Sequence, residues 1–285
     1  MDCKKVDLYE YFGIKKEEKM ECTLDCTLHV ASSYYADRVR PAMIVAAGGG
    51  YSGICEREGE PVAAGFLGKG YNIFVLRYSV APHHYPVQLI NGAMAVAYVR
   101  KNAKELRIDP DAIGFAGFSA AGHLAGMMAT LTGEPEVKEA LGEDAALAKP
   151  NAVIMGYPVI SNGEYAHRGS MDNISGHDPE LAEKLSLEKR VTADSVPAFI
   201  WGTADDKLVP AQNALFMACA YKMAGVPFEL HMYETGPHGL GLATRPTAAH
   251  RGILTYLEDY VRPAVATWFE MAITFLENHN FTVKD

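Results

Sequence analysis

The residues best suited to chemistry surround Ser119. The run Ile113-Gly-Phe-Ala-Gly117-Phe118-Ser119-Ala120-Ala121-Gly122-His123-Leu124 sets a serine between an apolar stretch, read as a strand, and a small-residue stretch, read as a helix. The pattern G-x-S-x-A is a variant of the G-x-S-x-G nucleophile elbow. Such a turn lifts the hydroxyl above the sheet. It tolerates only small side chains two places before and after the serine, because larger ones would strike the neighbouring strand and helix. Gly117 and Ala121 meet that demand. Ser52 also has a glycine two places before it, but Ile54 follows two places later and no strand leads into it. An ordinary helix N-cap is the competing reading of Ser119.

A hydroxyl nucleophile needs donors for the oxyanion it creates. Ala47-Gly48-Gly49-Gly50-Tyr51 follows the first buried apolar run. A glycine run there can present N–H groups without side chains in the way, like the HGGG loop of esterases. Gly49, Gly50 and the N–H of Ala120, just past the nucleophile, are the expected oxyanion donors. Ala47 stands where that loop has histidine. No G-x-x-x-x-G-K-[ST] pattern and no helix-opening G-x-G-x-x-G follows, so a phosphate loop is not indicated. A plain tight turn is the alternative.

The hydroxyl also needs a base, and the base an orienting acid, in the chain order Ser, Asp, His. His238 lies in Gly236-Pro-His-Gly-Leu240, where glycine and proline shape a loop past a strand. Asp205 lies in Trp201-Gly-Thr-Ala-Asp-Asp206, past the preceding strand. Both fall at strand carboxyl ends, where α/β proteins build ligand sites. Asp206 is the alternative acid; it could instead cap the turn before Pro210. His123 reads as a buried helix residue with local hydrogen bonds, and His167 and His177 as solvated. Adjacent His83 and His84 lack a carboxylate partner for a metal.

These groups need a scaffold, and the apolar pattern supplies one. Cys22–Val30 alternates and reads as a strand near a sheet edge. Continuous apolar runs at Pro41–Ala47 and Asn72–Tyr78 read as strands buried on both faces. Gln88–Leu106 has helical spacing. Ala112–Phe118, Ala152–Tyr157, Ala198–Trp201 and Phe228–Tyr233 read as strands. Ala120–Leu131, Ala211–Met223 and Val261–Glu277 read as helices. The alternation predicts an α/β chain with a mostly parallel central sheet and helices on both faces. The polar stretch Ser161–Asp194 breaks the rhythm between two strands. It reads as an insert on the pocket rim or as a tolerated surface excursion.

The run Tyr71-Asn-Ile-Phe-Val-Leu-Arg-Tyr78, Pro86, and Asp109-Pro-Asp-Ala-Ile-Gly through the Ser119 elbow to Leu124 resemble bacterial α/β-hydrolase esterases. The likeness is to the acetyl-xylan-esterase-like, feruloyl-esterase-like branch. Trp201-Gly-Thr-Ala-Asp-Asp-Lys-Leu-Val-Pro210, Ala224-Gly-Val-Pro-Phe-Glu-Leu-His231 and Gly236–Leu240 fit it too. The likeness runs over roughly residues 40 to 278 and departs from the pattern at Ala121 and Ala47. It implies the α/β-hydrolase fold as a single domain over 1–285. It also implies the acid three residues after Gly202, which is Asp205. The same stretches resemble the hydrolase domains of prolyl-oligopeptidase-type peptidases, but the roughly 40 residues before the first core strand leave no room for a propeller.

The resemblance implies a serine esterase acting on short acyl esters of sugars, such as acetylated xylo-oligosaccharides. Ser119, His238 and Asp205 would act with no metal or organic cofactor. A peptidase of the same mechanism and a non-catalytic binding protein are the rivals. A formal charge of −9 without a Lys/Arg cluster argues against nucleic acid as a partner. No run of about 18 apolar residues predicts a membrane span. The charged N-terminus is not expected to be a signal peptide. Five cysteines, an odd number, read as reduced thiols, which makes a cytoplasmic location the expectation. The oligomeric state is open, a homodimer included.

Overall fold

The computed structural model describes residues 1–30, 38–251, 255–256 and 258–284. Eight strands form one sheet: β1 (Asp2–Asp7), β2 (Thr23–Leu28), β3 (Arg40–Ala46), β4 (Asn72–Arg77), β5 (Ile108–Phe118), β6 (Ala152–Gly156), β7 (Ala198–Thr203) and β8 (Phe228–Tyr233). Their order is β1-β2-β4-β3-β5-β6-β7-β8. The pairs β1/β2 and β2/β4 are antiparallel, and all pairs from β4/β3 to β7/β8 are parallel. The expected mostly parallel sheet is present.

Strand periodicity divides the core into two layers. Ala42, Ile44 and Ala46 of β3, Ile113 and Phe115 of β5, and Ala198 and Ile200 of β7 face one layer. Helices α3 (Val87–Lys101), α5 (Ala120–Thr130) and α9 (Gln212–Ala224) cover it, through Leu89, Met94, Leu124, Met128, Met217 and Tyr221. The alternate residues, Met43, Val45, Ala116, Phe118, Phe199 and Trp201, face the other layer. There α2 (Glu60–Gly68) and α11 (Trp268–Asn278) close it with Val62, Phe66, Trp268 and Phe275. Burial on both faces is why β3, β5, β6 and β7 read as continuous apolar runs.

The remaining helices are α1 (Leu8–Phe12), α4 (Ala103–Leu106), α6 (Pro135–Leu141), α7 (Arg168–Ser175), α8 (Pro179–Lys184) and α10 (Pro263–Ala266). The expected helix 88–106 divides at Asn102, and Arg107 ends it in the left-handed region at φ 54°. The strand expected near an edge, 22–30, is second from it, because the Asp2–Asp7 segment adds an outer strand. The stretch 161–194 is more ordered than its composition suggests and contains α7 and α8. All five cysteines are unpaired. Among the described residues no helix is long and apolar enough to cross a membrane.

β3 connects through α2 to β4 on one side, and α3 then carries the chain from β4 back past β3 to β5 on the other. The strand order therefore reverses between β3 and β5, and open α/β sheets bind ligands at that crevice. Gly48–Gly50 follow β3 and Ser119 follows β5, so both loops open there.

Candidate active site

Ser119 sits in the turn from β5 to α5 with φ 55° and ψ −120°. A non-glycine residue at positive φ is strained by about 1–3 kcal/mol and persists only when its surroundings hold it. Three hydrogen bonds do so here. Ser119 N–H donates to the Gly156 carbonyl at 3.0 Å, and Val159 and His123 N–H groups donate to the Ser119 carbonyl at 3.0 and 3.3 Å. The crowding expected around the elbow is real. A Cβ on Gly117 would lie 1.9 Å from the Ala121 carbonyl oxygen. Ala121 itself fits and is buried.

The Ser119 Oγ lies 2.8 Å from His238 Nε2, and His238 Nδ1 lies 2.7 Å from Asp206 Oδ2. Hydroxyl, imidazole and carboxylate in series are the parts that general-base activation of an alcohol requires. The Asp206 side chain is 1% exposed, and its other oxygen accepts the N–H groups of Leu208 at 2.8 Å and Val209 at 3.0 Å. Those bonds leave Oδ2 free to face the imidazole.

The expectation that Asp205 orients His238 is not met. Asp205 Oδ1 accepts the Gly236 N–H at 2.7 Å and so fastens the loop that carries the histidine. Adjacent residues of a turn send their side chains to different sides, so only one of the two aspartates can meet the imidazole. The family-based count from Gly202 lands one residue short.

Gly49 and Gly50 line a cavity of about 190 Å³ together with Ser119, His238, Glu58 and His167. Gly49 has φ 136°, and a Cβ there would come within 2.2 Å of the Gly53 carbonyl, so the turn admits only glycine. Among the described residues, the N–H groups of Gly49, Gly50 and Ala120 have no acceptor within the protein. The Gly48 N–H is occupied by Glu58.

Glu58 is a site residue that the sequence did not reveal. It is 2% exposed. One carboxylate oxygen accepts the Gly48 N–H at 2.9 Å, and the other accepts the Tyr157 hydroxyl at 2.8 Å. Tyr157 in turn accepts the Gly241 N–H at 2.9 Å. Burial, then the neighbouring Glu58 charge, push the Tyr157 phenol well above its usual range, so it stays a donor. The chain Gly48–Glu58–Tyr157–Gly241 thereby joins the glycine loop to the His238 loop. Glu56, Arg57 and Glu60 around Glu58 make the stretch look like a solvated turn, so no sequence signal singled it out.

His123 is buried, as expected, but its hydrogen bonds are not local. Nδ1 lies 3.0 Å from the Tyr51 hydroxyl and Nε2 lies 2.8 Å from the Leu185 carbonyl. Since a carbonyl can only accept, Nε2 carries the proton and Nδ1 accepts from Tyr51. The ring ties the glycine loop to the 161–194 stretch. Asn173 of α7 makes a second tie, with Nδ2 donating to the Gly50 carbonyl at 2.8 Å. His83 and His84 reach the carbonyls of Glu18 and Asn173 at 3.0 and 2.8 Å.

Burial lowers the His123 pKa from 6.5 to about 4. A depressed histidine stabilises the fold fully above its unfolded pKa near 6.5. That stabilisation is lost as pH falls towards 4, by up to roughly 3 kcal/mol. Urea unfolding at pH 7.5 and pH 4.5 should therefore show a stability drop about 2–3 kcal/mol larger in the wild type than in His123→Asn. Equal drops in the two proteins would contradict this role of His123.

A family profile described as BD-FAE matches residues 28–220. Endo-1,4-beta-xylanase B of Butyrivibrio fibrisolvens is 38% identical over 216 residues, 73% of this chain and 33% of that protein. An acetylxylan esterase of Xylanibacter ruminicola is 32% identical over 211 residues, 71% of this chain and 42% of that protein. The chain thus spans well under half the length of either relative. The crystal structure of an acetyl ester-xyloside bifunctional hydrolase from Caldicellulosiruptor lactoaceticus superposes with a TM-score of 0.80 at 32% identity, covering 98% of this chain and 97% of that one. The architecture is that of the α/β hydrolases.

Proposed function

The chain belongs to the BD-FAE family of α/β hydrolases, and from that premise we propose that it is a serine esterase for short acyl esters of sugars. The observation that carries the reading is the continuous row Ser119–His238–Asp206, bonded at 2.8 and 2.7 Å at the carboxyl ends of β5, β8 and β7.

Ser119 Oγ attacks the ester carbonyl while His238 Nε2 takes its proton. Asp206 holds the productive tautomer and balances the imidazolium charge. The oxyanion is received by the N–H groups of Ala120, Gly49 and Gly50, which have no other acceptor. His238 returns the proton to the leaving alcohol, and water then cleaves the acyl-enzyme. Asp205, Glu58 and Tyr157 hold the two loops in register.

Size argues for a short acyl group. The cavity around Ser119, at about 190 Å³, lies below the roughly 300–1,000 Å³ of pockets for drug-sized ligands. A wider cleft of about 680 Å³ adjoins it at His238, with Arg57, Lys207, Tyr260 and Arg262 on its walls. The small cavity then holds the acyl group, the ester and the alcohol atoms next to it, and the cleft suits the rest of a bulky polar alcohol. The named activities of the acetylxylan esterase relative and the acetyl ester-xyloside hydrolase support a sugar alcohol. In this reading the chain works as one α/β-hydrolase domain, and the 161–194 insert forms part of the rim.

Deleting the insert would not be a clean test, because Asn173 and Leu185 support the glycine loop. Acyl length is cleaner. Across p-nitrophenyl esters from C2 to C12, kcat/KM should peak at C2 to C4 and fall steeply by C8, with no cleavage of Xaa-Pro anilides. A maximum at C8 or beyond would overturn the short-acyl assignment, and anilide cleavage would favour a peptidase.

A further inference from the structure

His167 belongs to the insert and reads in the sequence as a solvated residue. In the structure it is half-buried, caps the first turn of α7 and lines the cavity that holds Ser119 and His238. Its two ring nitrogens have different surroundings. Nδ1 accepts the Ser170 N–H at 3.2 Å and lies 2.8 Å from Ser170 Oγ. A nitrogen whose lone pair accepts a backbone N–H cannot also carry a proton. Neutral His167 therefore holds its proton on Nε2. Burial first, and then the His238 charge, lower the pKa of His167, which keeps the ring neutral. Among the described residues, Nε2–H has no acceptor within the protein. Nδ1 is turned to the start of α7, so this unmet donor lies on the opposite edge of the ring.

The chemistry of an acetyl ester limits what such a donor can meet. The acetyl group has one acceptor, its carbonyl oxygen, and the Gly49, Gly50 and Ala120 N–H groups stand ready for it. Its methyl offers none. Any further acceptor must come from the alcohol. The alcohol oxygen must also approach His238 Nε2 to receive its proton, so the alcohol half lies on the His238 side. His167 lines the same small cavity as Ser119 and His238, so its ring stands beside the ester that His238 must serve.

We propose that His167 determines specificity by donating its Nε2–H to an oxygen of the alcohol half next to the scissile ester. The preferred alcohol is then a polyol with a hydroxyl or ring oxygen beside the acylated position. The proposal rests on the serine-esterase reading of the same site. A donor that bound substrate covers and leaves unmet costs about 1–3 kcal/mol, so alcohols without that oxygen are disfavoured.

Two variants separate this role from the capping of α7. His167→Asn keeps a capping acceptor for the Ser170 N–H, since Asn is a favoured N-cap, but cannot reach the alcohol. His167→Gln gives up the cap geometry but carries an amide N–H near the former Nε2. Full-length wild type and both variants are assayed on phenyl acetate, whose alcohol has no acceptor beyond the ester oxygen, and on a mono-acetylated methyl xyloside. His167→Asn should raise KM for the xyloside ester about 3- to 10-fold, the worth of one hydrogen bond. Its kcat, and kcat/KM on phenyl acetate, should stay within about twofold. His167→Gln should retain most of the wild-type KM. Equal losses on both esters would mark His167 as structural only and overturn the proposal. So would an unchanged KM in His167→Asn with an active wild type. A wild type that hydrolyses neither ester would overturn the esterase reading and this proposal with it.

Discussion

Ser119→Ala is expected to lower kcat for ester hydrolysis by about 10⁶ while leaving the fold intact. The size follows from how the row works. Removing the hydroxyl leaves His238 without a proton to take and Asp206 without a charge to balance, so one substitution forfeits nearly the whole effect of the unit. The residual rate over water would come from binding and the oxyanion N–H groups. The cavity gains only the space of one oxygen, and the backbone bonds that hold the elbow do not involve Oγ. Thermal unfolding should therefore be nearly unchanged. A variant that keeps a tenth of wild-type activity would remove Ser119 from the reaction.

Asp206→Asn is expected to lower kcat by about 10⁴. The amide oxygen can take over the N–H groups of Leu208 and Val209, so the turn survives. The amide nitrogen then faces His238 Nδ1, which must accept a hydrogen bond and release its proton. That proton moves to Nε2, where it points at Ser119 Oγ and abolishes the base. Asp205→Asn retains a carbonyl oxygen for the Gly236 N–H, so its loss should stay within about tenfold. Comparing kcat for the two variants at one pH checks the ranking. The reverse ranking would return the acid role to Asp205.

The strands from β3 to β8 and helices α3, α5, α9 and α11 are legible because each is buried on both faces or carries a regular apolar stripe, whereas α2 is not read from the sequence. Ser119 and His238 are legible because small residues must surround an elbow and a tight loop. What escapes is whatever depends on direction rather than composition. The choice between Asp205 and Asp206 turns on where a tight turn aims two neighbouring side chains, and the types are identical. β1 escapes because Asp2, Cys3, Lys4 and Lys5 are exposed, so the strand is held by pairing with β2 rather than by burial. α7 is only eight residues long, and much of its surface is polar. Glu58 escapes because a buried carboxylate looks like any surface glutamate until its three-dimensional partners are known. His167 escapes for the same reason.

The central claim is that Ser119 is a hydroxyl activated by His238 in the folded protein. A fluorophosphonate probe reacts with such a serine and not with an ordinary one. Incubating the folded protein with the probe, followed by intact-mass measurement and peptide mapping, tests the claim directly. The expected result is one adduct per chain, located on Ser119, absent from Ser119→Ala and from protein unfolded in urea. No adduct on the folded protein, or an adduct at another residue with Ser119 untouched, would contradict it.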